Sequence, residues 1–176
     1  MARISLIDEN ATPEIAAITA KIRGGRGGQL HAFYRALLHT PSLASAWYEF
    51  NNAVRFGNSL DERTRELVIM RVAALTGCDF VWAVHEAKYA VPAGVKPAEM
   101  TALRAPKGTT GFSARDQALL DYVDAMTRDV AVPDATFDAL RPHFPEREIM
   151  ELTVVVCGYN MHTRLVMALD IRPEKP

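Results

Sequence analysis

Cysteine is scarce in this chain, which has only Cys78 and Cys157. Disulfide-stabilised secreted domains carry more cysteines at closer spacing, so a secreted framework is excluded. A chain of this length buries roughly 70% of the surface that its unfolded form exposes, and therefore needs neither disulfides nor a structural metal to fold. We expect a cytoplasmic protein with reduced thiols.

Long apolar runs and a surplus of one charge are missing as well. No apolar stretch approaches the roughly 20 residues of a membrane helix, and the N-terminus lacks the apolar core of a signal peptide. The net charge is -1, and no basic stripe typical of nucleic-acid binding is present. Segment 21–28 is glycine-rich, but no Gly-Lys-Ser/Thr follows it, so it is not a P-loop. We expect binding to neither membranes nor nucleic acids.

The chain does contain many helix start signals. Thr12-Pro13 and Thr40-Pro41 pair a capping residue with proline in the first turn, and Ser59–Glu62 has the capping-box pattern. Apolar residues at helical spacing follow these signals. The sequence predicts a single all-α domain of about eight helices over residues 1–176, with an irregular lead-in over residues 1–11 and a loop over residues 105–111.

The segment Leu152–Cys157 is the one ambiguous element. Its β-branched residues favour a buried strand. However, it lies within a continuous apolar pattern from Glu146 to about Asp170, and a lone strand would have no partner. The sequence therefore predicts a helix here, with Cys157 as a structural residue in an apolar run.

Chemically distinctive residues are concentrated between Thr76 and Tyr89. A helix beginning at Cys78 and fading before Pro92 would place that thiol at the positive end of the helix dipole, which lowers a thiol pKa. His85 follows on the same face, but two turns amount to about 10.5 Å of rise, so direct contact is excluded.

Other side chains extend this interpretation. Glu66, on the preceding helix, can bridge Cys78 and His85 if the two helices pack antiparallel. Trp82 and Tyr89 line the same stripe and are candidate substrate contacts. The alternative is that Cys78 and His85 are ordinary packing residues.

The spacing of these residues resembles the carboxymuconolactone decarboxylase family, which includes the alkylhydroperoxidase D proteins. The matching residues are Arg65-Glu66-Leu67, Arg71-Val72-Ala73, Gly77-Cys78, Trp82, His85 and Gly94, with weaker support from Tyr159, Asn160 and Arg164. The family motif is a glutamate, twelve residues to C-x-x-C, and a histidine four residues after the second cysteine. The resemblance implies that Glu66, Cys78 and His85 are catalytic, that no metal or organic cofactor is used, and that the chain forms a homotrimer or homohexamer.

The chain departs from that motif at Val81, which replaces the second cysteine. Alkylhydroperoxidase D proteins cycle the two cysteines between dithiol and disulfide. A sulfenic acid formed at Cys78 would therefore need an external thiol reductant, a partner chain or Cys157 to resolve it.

Three functions remain open at this stage. The leading one is a thiol-dependent, peroxiredoxin-type oxidoreductase with Cys78 as nucleophile and Glu66 and His85 as its proton relay. The second is a cofactor-free decarboxylase or lyase acting on a carboxylated lactone. There His85 is the acid, Arg164 or Arg71 holds a carboxylate, and Cys78 is a bystander. The third is a non-enzymatic oligomeric binding protein.

The expected ligand is a small molecule, either a peroxide or a carboxylated lactone. His162 joins Trp82, Tyr89 and Arg164 as a predicted substrate contact, because it lies on the last helix near Asn160. No cluster of three closely spaced ligands indicates a zinc site.

Overall fold

A computed structural model describes residues 2–105 and 110–172. Within these residues the chain forms nine α-helices and no strand, which confirms the predicted all-α fold. They are α1 (Pro13–Gly24), α2 (Ala32–Leu37), α3 (Pro41–Phe56), α4 (Glu62–Thr76), α5 (Asp79–His85), α6 (Pro97–Leu103), α7 (Ala114–Arg128), α8 (Asp134–Leu140) and α9 (Glu146–Ala168). A π-helical turn, Glu86–Ala90, continues α5. None of these helices is long and apolar enough to cross a membrane. Most of the predicted loop over residues 105–111 lies outside the described residues.

Side-chain caps set several of the helix starts. The Thr12 hydroxyl accepts a hydrogen bond from the Ile15 amide at 3.2 Å, as the sequence predicts. The predicted capping box at residues 59–62 is shifted: the cap is Asp61, whose carboxylate accepts from the Thr64 amide at 2.8 Å. Ser59 instead donates its hydroxyl to Glu151 of α9 at 2.7 Å, which ties the start of α4 to the last helix.

The central element is α4, which contacts α5, α6, α7 and α9. Every residue from Thr64 to Ala73 is buried, so this helix has no solvent-facing stripe in its middle turns. Its polar residues Glu66 and Arg71 are therefore forced into the interior. α9 runs unbroken over 23 residues, which confirms the helix predicted for Leu152–Cys157.

Arg71 is fully buried, and all three of its guanidinium nitrogens donate hydrogen bonds within the protein. Its Nε and Nη2 atoms each donate to Asp124 of α7 at 2.6 Å. Its Nη1 donates at 2.8 Å to the carbonyls of Leu103 and Ala105. The suggestion that Arg71 holds a substrate carboxylate is therefore wrong, because the guanidinium is committed to joining α4, α6 and α7.

His162 of α9 is packed in an aromatic stack. Its ring lies 4.1 Å from Phe33 of α2 at an interplanar angle of 15°, and 5.9 Å from Tyr159 at 6°. Both ring nitrogens are buried and have no hydrogen-bond partner among the described residues. Burial lowers the pKa of His162 to about 3, so the ring is neutral at physiological pH.

Replacing Arg71 by methionine is expected to lower the free energy of unfolding by about 3–5 kcal/mol, because Asp124 loses its buried partner. Arg128→Ala is the matched control, since Arg128 approaches the same carboxylate at 3.8 Å from a more exposed position, and should cost no more than about 1 kcal/mol. Urea unfolding at pH 7 measures both. Equal losses would contradict the structural role of Arg71.

His162→Phe should make the protein less sensitive to acid. The folded-state pKa of His162 lies below its unfolded value, so the unfolded chain binds the extra proton as the pH falls below about 6.5. Stability is then lost by about 1.4 kcal/mol per pH unit on further acidification. The variant lacks this loss. The difference in stability between the variant and the wild type, measured by thermal unfolding, should therefore favour the variant more at pH 5 than at pH 7. His143→Gln, at an exposed position, is the control; parallel stability profiles for His162→Phe and the wild type would refute the expectation.

Candidate active site

Glu66 and His85 meet in the interior, as the sequence predicts for packing of α5 against α4. The His85 Nδ1 atom lies 2.7 Å from a Glu66 carboxylate oxygen. Both side chains are almost fully buried. The second Glu66 oxygen lies 3.8 Å from Nε of Arg65, so a cation also supports the carboxylate.

Tyr159 of α9 extends this pair to a chain of three. Its hydroxyl lies 3.1 Å from the other His85 nitrogen, Nε2. A carboxylate can only accept, so Nδ1 carries the imidazole proton and Nε2 accepts from the Tyr159 hydroxyl. The sequence pattern gave Tyr159 only as support for the family resemblance. Its position one turn before His162 on the same predicted helix was the available signal.

Burial sets the protonation states of His85 and Tyr159. It lowers the pKa of His85, and the nearby Arg55 and Arg65 cations lower it further, against the opposing effect of Glu66. Burial raises the pKa of Tyr159 well above its ordinary value. His85 is therefore neutral and Tyr159 protonated at neutral pH.

A small cavity of about 50 Å³ opens beside the chain of three. Both His85 and Tyr159 line it, together with His162, Tyr89 and two arginines, Arg26 and Arg55. It therefore combines an acid–base group with positive charge, as a site for an anionic substrate requires.

Arg55 is the cation with free hydrogen-bonding capacity. Its side chain is buried, and its Nε and Nη2 atoms have no hydrogen-bond partner among the described residues. The guanidinium lies 4.2 Å from the centroid of the Tyr89 ring. Arg26, by contrast, donates to the Tyr34 hydroxyl at 3.3 Å and to Asn51 at 3.2 Å.

The sequence pattern did not single out either arginine, although Arg55 left a signal. Ala44, Tyr48 and Asn51 are buried along one stripe of α3. Arg55 continues that stripe at helical spacing. A charged residue on the buried face of an amphipathic helix needs a partner or a ligand.

Cys78 does not join the site. It is the N-cap of α5, is 1% exposed and does not line the cavity. Burial raises the pKa of its thiol and outweighs the backbone N–H groups of Val81 and Phe80. The predicted acidic thiol is therefore wrong. Val81, which stands where the family motif has its second cysteine, does line the cavity.

The remaining predicted contacts divide into two groups. Tyr89 and His162 line the cavity. Trp82 does not: its indole N–H donates to Glu86 at 2.9 Å and its ring stacks under Arg104 at 3.8 Å. Arg164 is exposed and donates to the Asn160 carbonyl at 3.1 Å, so it does not face the cavity either.

Two further observations concern thiols and metals. Cys157, predicted to be a structural residue in an apolar run, is exposed on the outer side of α9. No group of three or more histidine, cysteine or acidic side chains in residues 2–105 and 110–172 is placed to hold a metal ion.

Known proteins resemble this chain in sequence and in fold. The uncharacterized protein YdfG of Bacillus subtilis is 26% identical over 117 residues, which cover 65% of this chain and 79% of that protein. The structure of an uncharacterized peroxidase-related protein from Ralstonia eutropha, described as an alkylhydroperoxidase AhpD core, matches with a TM-score of 0.83 and 20% identity, covering 99% of this chain and 93% of that one. A peroxidase-related protein from Silicibacter sp. matches with a TM-score of 0.82 and 21% identity, covering 98% and 92%. At these identities the two structures show a shared fold.

A family model also matches the part of the chain that holds Glu66 and His85. Residues 41–125 match the model of the carboxymuconolactone decarboxylase family. This range includes Arg55, Glu66 and His85. The resemblance to this family that the sequence pattern predicted is therefore confirmed over residues 41–125.

Proposed function

We propose that this protein is an acid–base enzyme of the decarboxylase or lyase type, acting without a reactive thiol on a small carboxylated substrate such as a carboxylated lactone. The observation that carries the proposal is the hydrogen-bonded chain Glu66–His85–Tyr159 beside a cavity lined by Arg55, two of whose guanidinium nitrogens have no hydrogen-bond partner among the described residues.

Arg55 supports a carboxylate as the group that is bound. A buried guanidinium with unsatisfied donors carries a desolvation cost that an anion relieves. Carboxylates match the planar fork of a guanidinium. The Arg26 guanidinium, which also lines the cavity, adds to the positive potential there.

The reaction needs a proton at the carbon that loses its carboxylate. The C–C bond breaks, carbon dioxide leaves, and the electron pair delocalises into the lactone as an enolate. One proton, taken up from solvent, then bonds to carbon, so that R–COO⁻ and H⁺ give R–H and CO2. In this proposal the hydrogen-bonded chain carries that proton, and its burial excludes water from the step.

The thiol-dependent peroxidase is supported less well. Cys78 is buried and away from the cavity, and a raised pKa leaves it mostly as the unreactive thiol. Valine occupies the cavity-facing motif position, where a second cysteine would stand. The names of the similar structures favour a peroxidase, but those structures share only the fold with this chain.

His85→Ala should lower kcat for decarboxylation of a carboxylated lactone by about 10²- to 10⁴-fold, because the proton relay is broken. Cys78→Ser should leave kcat within about twofold, since this thiol is away from the reacting atoms. Carbon dioxide release measures both. Peroxide turnover that is abolished by Cys78→Ser and survives in His85→Ala would overturn the proposal, and absence of turnover with either substrate class would favour the binding protein.

Arg55→Lys tests the anion site. A lysine keeps the charge but loses the two-pronged geometry, so KM should rise more than kcat falls. Arg104→Lys, outside the cavity, is the matched control. An unchanged KM for Arg55→Lys would remove the assigned role of Arg55.

Thiol labelling should distinguish the two cysteines. Iodoacetamide at pH 7.5 is expected to modify exposed Cys157 before Cys78, because burial both shields the Cys78 sulfur and raises its pKa. Mass spectrometry of the folded protein measures the order, and the denatured protein should label at both sites. Faster modification of Cys78 would restore the thiol-dependent alternative.

A further inference from the structure

We propose that the Tyr159 hydroxyl, rather than the His85 imidazole, is the group that exchanges a proton with the substrate. His85 then resupplies the proton to Tyr159, and Glu66 positions His85. This inference rests on the proposed acid–base function and assigns the residue of this chain that touches the reacting carbon.

The first argument is that His85 has no nitrogen left for a substrate. Nδ1 is bound to Glu66 at 2.7 Å and Nε2 to Tyr159 at 3.1 Å. In the neutral imidazole the only N–H points at the Glu66 carboxylate. A substrate that reached Nε2 directly would have to displace the buried Tyr159 hydroxyl.

The second argument is the environment of Tyr159. Its ring is 2% exposed and lines the cavity. The parallel ring of His162, itself stacked on Phe33, limits movement of the Tyr159 ring. In the described part of the chain the Tyr159 hydroxyl has no hydrogen-bond partner besides His85, so its oxygen keeps a lone pair for a second contact.

The proton balance follows from this geometry. In the loaded state, one proton from solvent is bound to Nε2 of His85. The resulting imidazolium is hydrogen-bonded to the Glu66 carboxylate. Nε2–H then donates to the phenolic oxygen, which turns the Tyr159 O–H toward the cavity. As carbon dioxide leaves, the Tyr159 O–H bond breaks and its proton bonds to carbon. The Nε2 proton moves to the phenolic oxygen in the same step, so no free phenolate forms and His85 returns to neutral.

Charged and titratable groups on every neighbouring element bear on the loaded state. They are Arg26 from the turn after α1, Tyr34 from α2, Arg55 from α3, Glu66 and Arg65 from α4, Tyr89 from the π-helical turn, and Tyr159 and His162 from α9. Arg55 and Arg65 oppose protonation of His85, and Glu66 favours it. We therefore expect kcat to increase as the pH falls through the neutral range toward the lowered pKa of His85.

Tyr159→Phe is the decisive variant, because it removes one oxygen and keeps the stacked ring. With a carboxylated butenolide lactone as substrate, kcat should fall by about 100-fold or more while KM stays within about threefold. The double variant with His85→Ala should be no slower than the worse single variant, since the two residues act as a unit. Tyr122→Phe is the control: its hydroxyl lies 2.7 Å from that of Thr153, and Tyr122 does not line the cavity.

Two measurements guard against a merely structural effect. The ¹⁵N resonance of His85 Nε2 should shift in Tyr159→Phe without any substrate, because the nitrogen loses its donor. Replacement of Tyr159 by 3,5-difluorotyrosine, which keeps the shape and acidifies the phenol, should change kcat and its pH profile.

The outcomes separate the inference from the function on which it depends. If the wild type turns over the substrate and Tyr159→Phe retains kcat within threefold, the role of Tyr159 is overturned and His85 is the direct acid. An unchanged pH profile with difluorotyrosine would do the same. Absence of turnover by the wild type would overturn the proposed function and the role of Tyr159 with it.

Discussion

The buried hydrogen bond between Glu66 and His85 constrains the rest of the site. A carboxylate inside the central helix α4 loses several kcal/mol of hydration unless a partner replaces it. His85 supplies that partner, so α5 must pack with its last residue facing α4. The contact also fixes which imidazole nitrogen carries the proton, and thereby makes Nε2 the acceptor for Tyr159 of α9. This contact and the Tyr159 hydrogen bond thus join three helices through one hydrogen-bonded chain.

Two buried arginines show how similar residues acquire different roles. Arg71 satisfies all three of its guanidinium nitrogens within the protein, through one carboxylate and two carbonyls. Arg55 leaves two nitrogens unsatisfied beside the cavity. The first therefore stabilises the packing of α4 against α6 and α7, whereas the second retains free energy of interaction for a ligand.

The position of Cys78 explains why its chemistry differs from that of the family motif. Seven residues separate it from His85, which would place both on one stripe if both were helical. Cys78 is instead the N-cap, with φ -87° and ψ 84°. A cap lies outside the helical spiral, so its side chain does not follow the stripe. Val81 is within the helix, one turn before His85, and faces the cavity. Valine at this one position removes the second thiol that the dithiol–disulfide cycle of the family motif requires.

The sequence by itself determined the all-α fold, most helix starts, and the Glu66–His85 pair, because capping residues, helical periodicity and motif spacing are local properties of the chain. It also gave Tyr89 and His162, which share faces with recognised residues. Only the tertiary structure decided that the Tyr159 hydroxyl contacts His85, that Arg55 faces the cavity, and that Arg71, Trp82 and Arg164 do not. Those outcomes depend on which helix faces pack together and on how deeply each side chain is buried. The same burial raises the pKa of Cys78, since desolvation of a thiolate comes from the assembled core and outweighs the effect of a helix start.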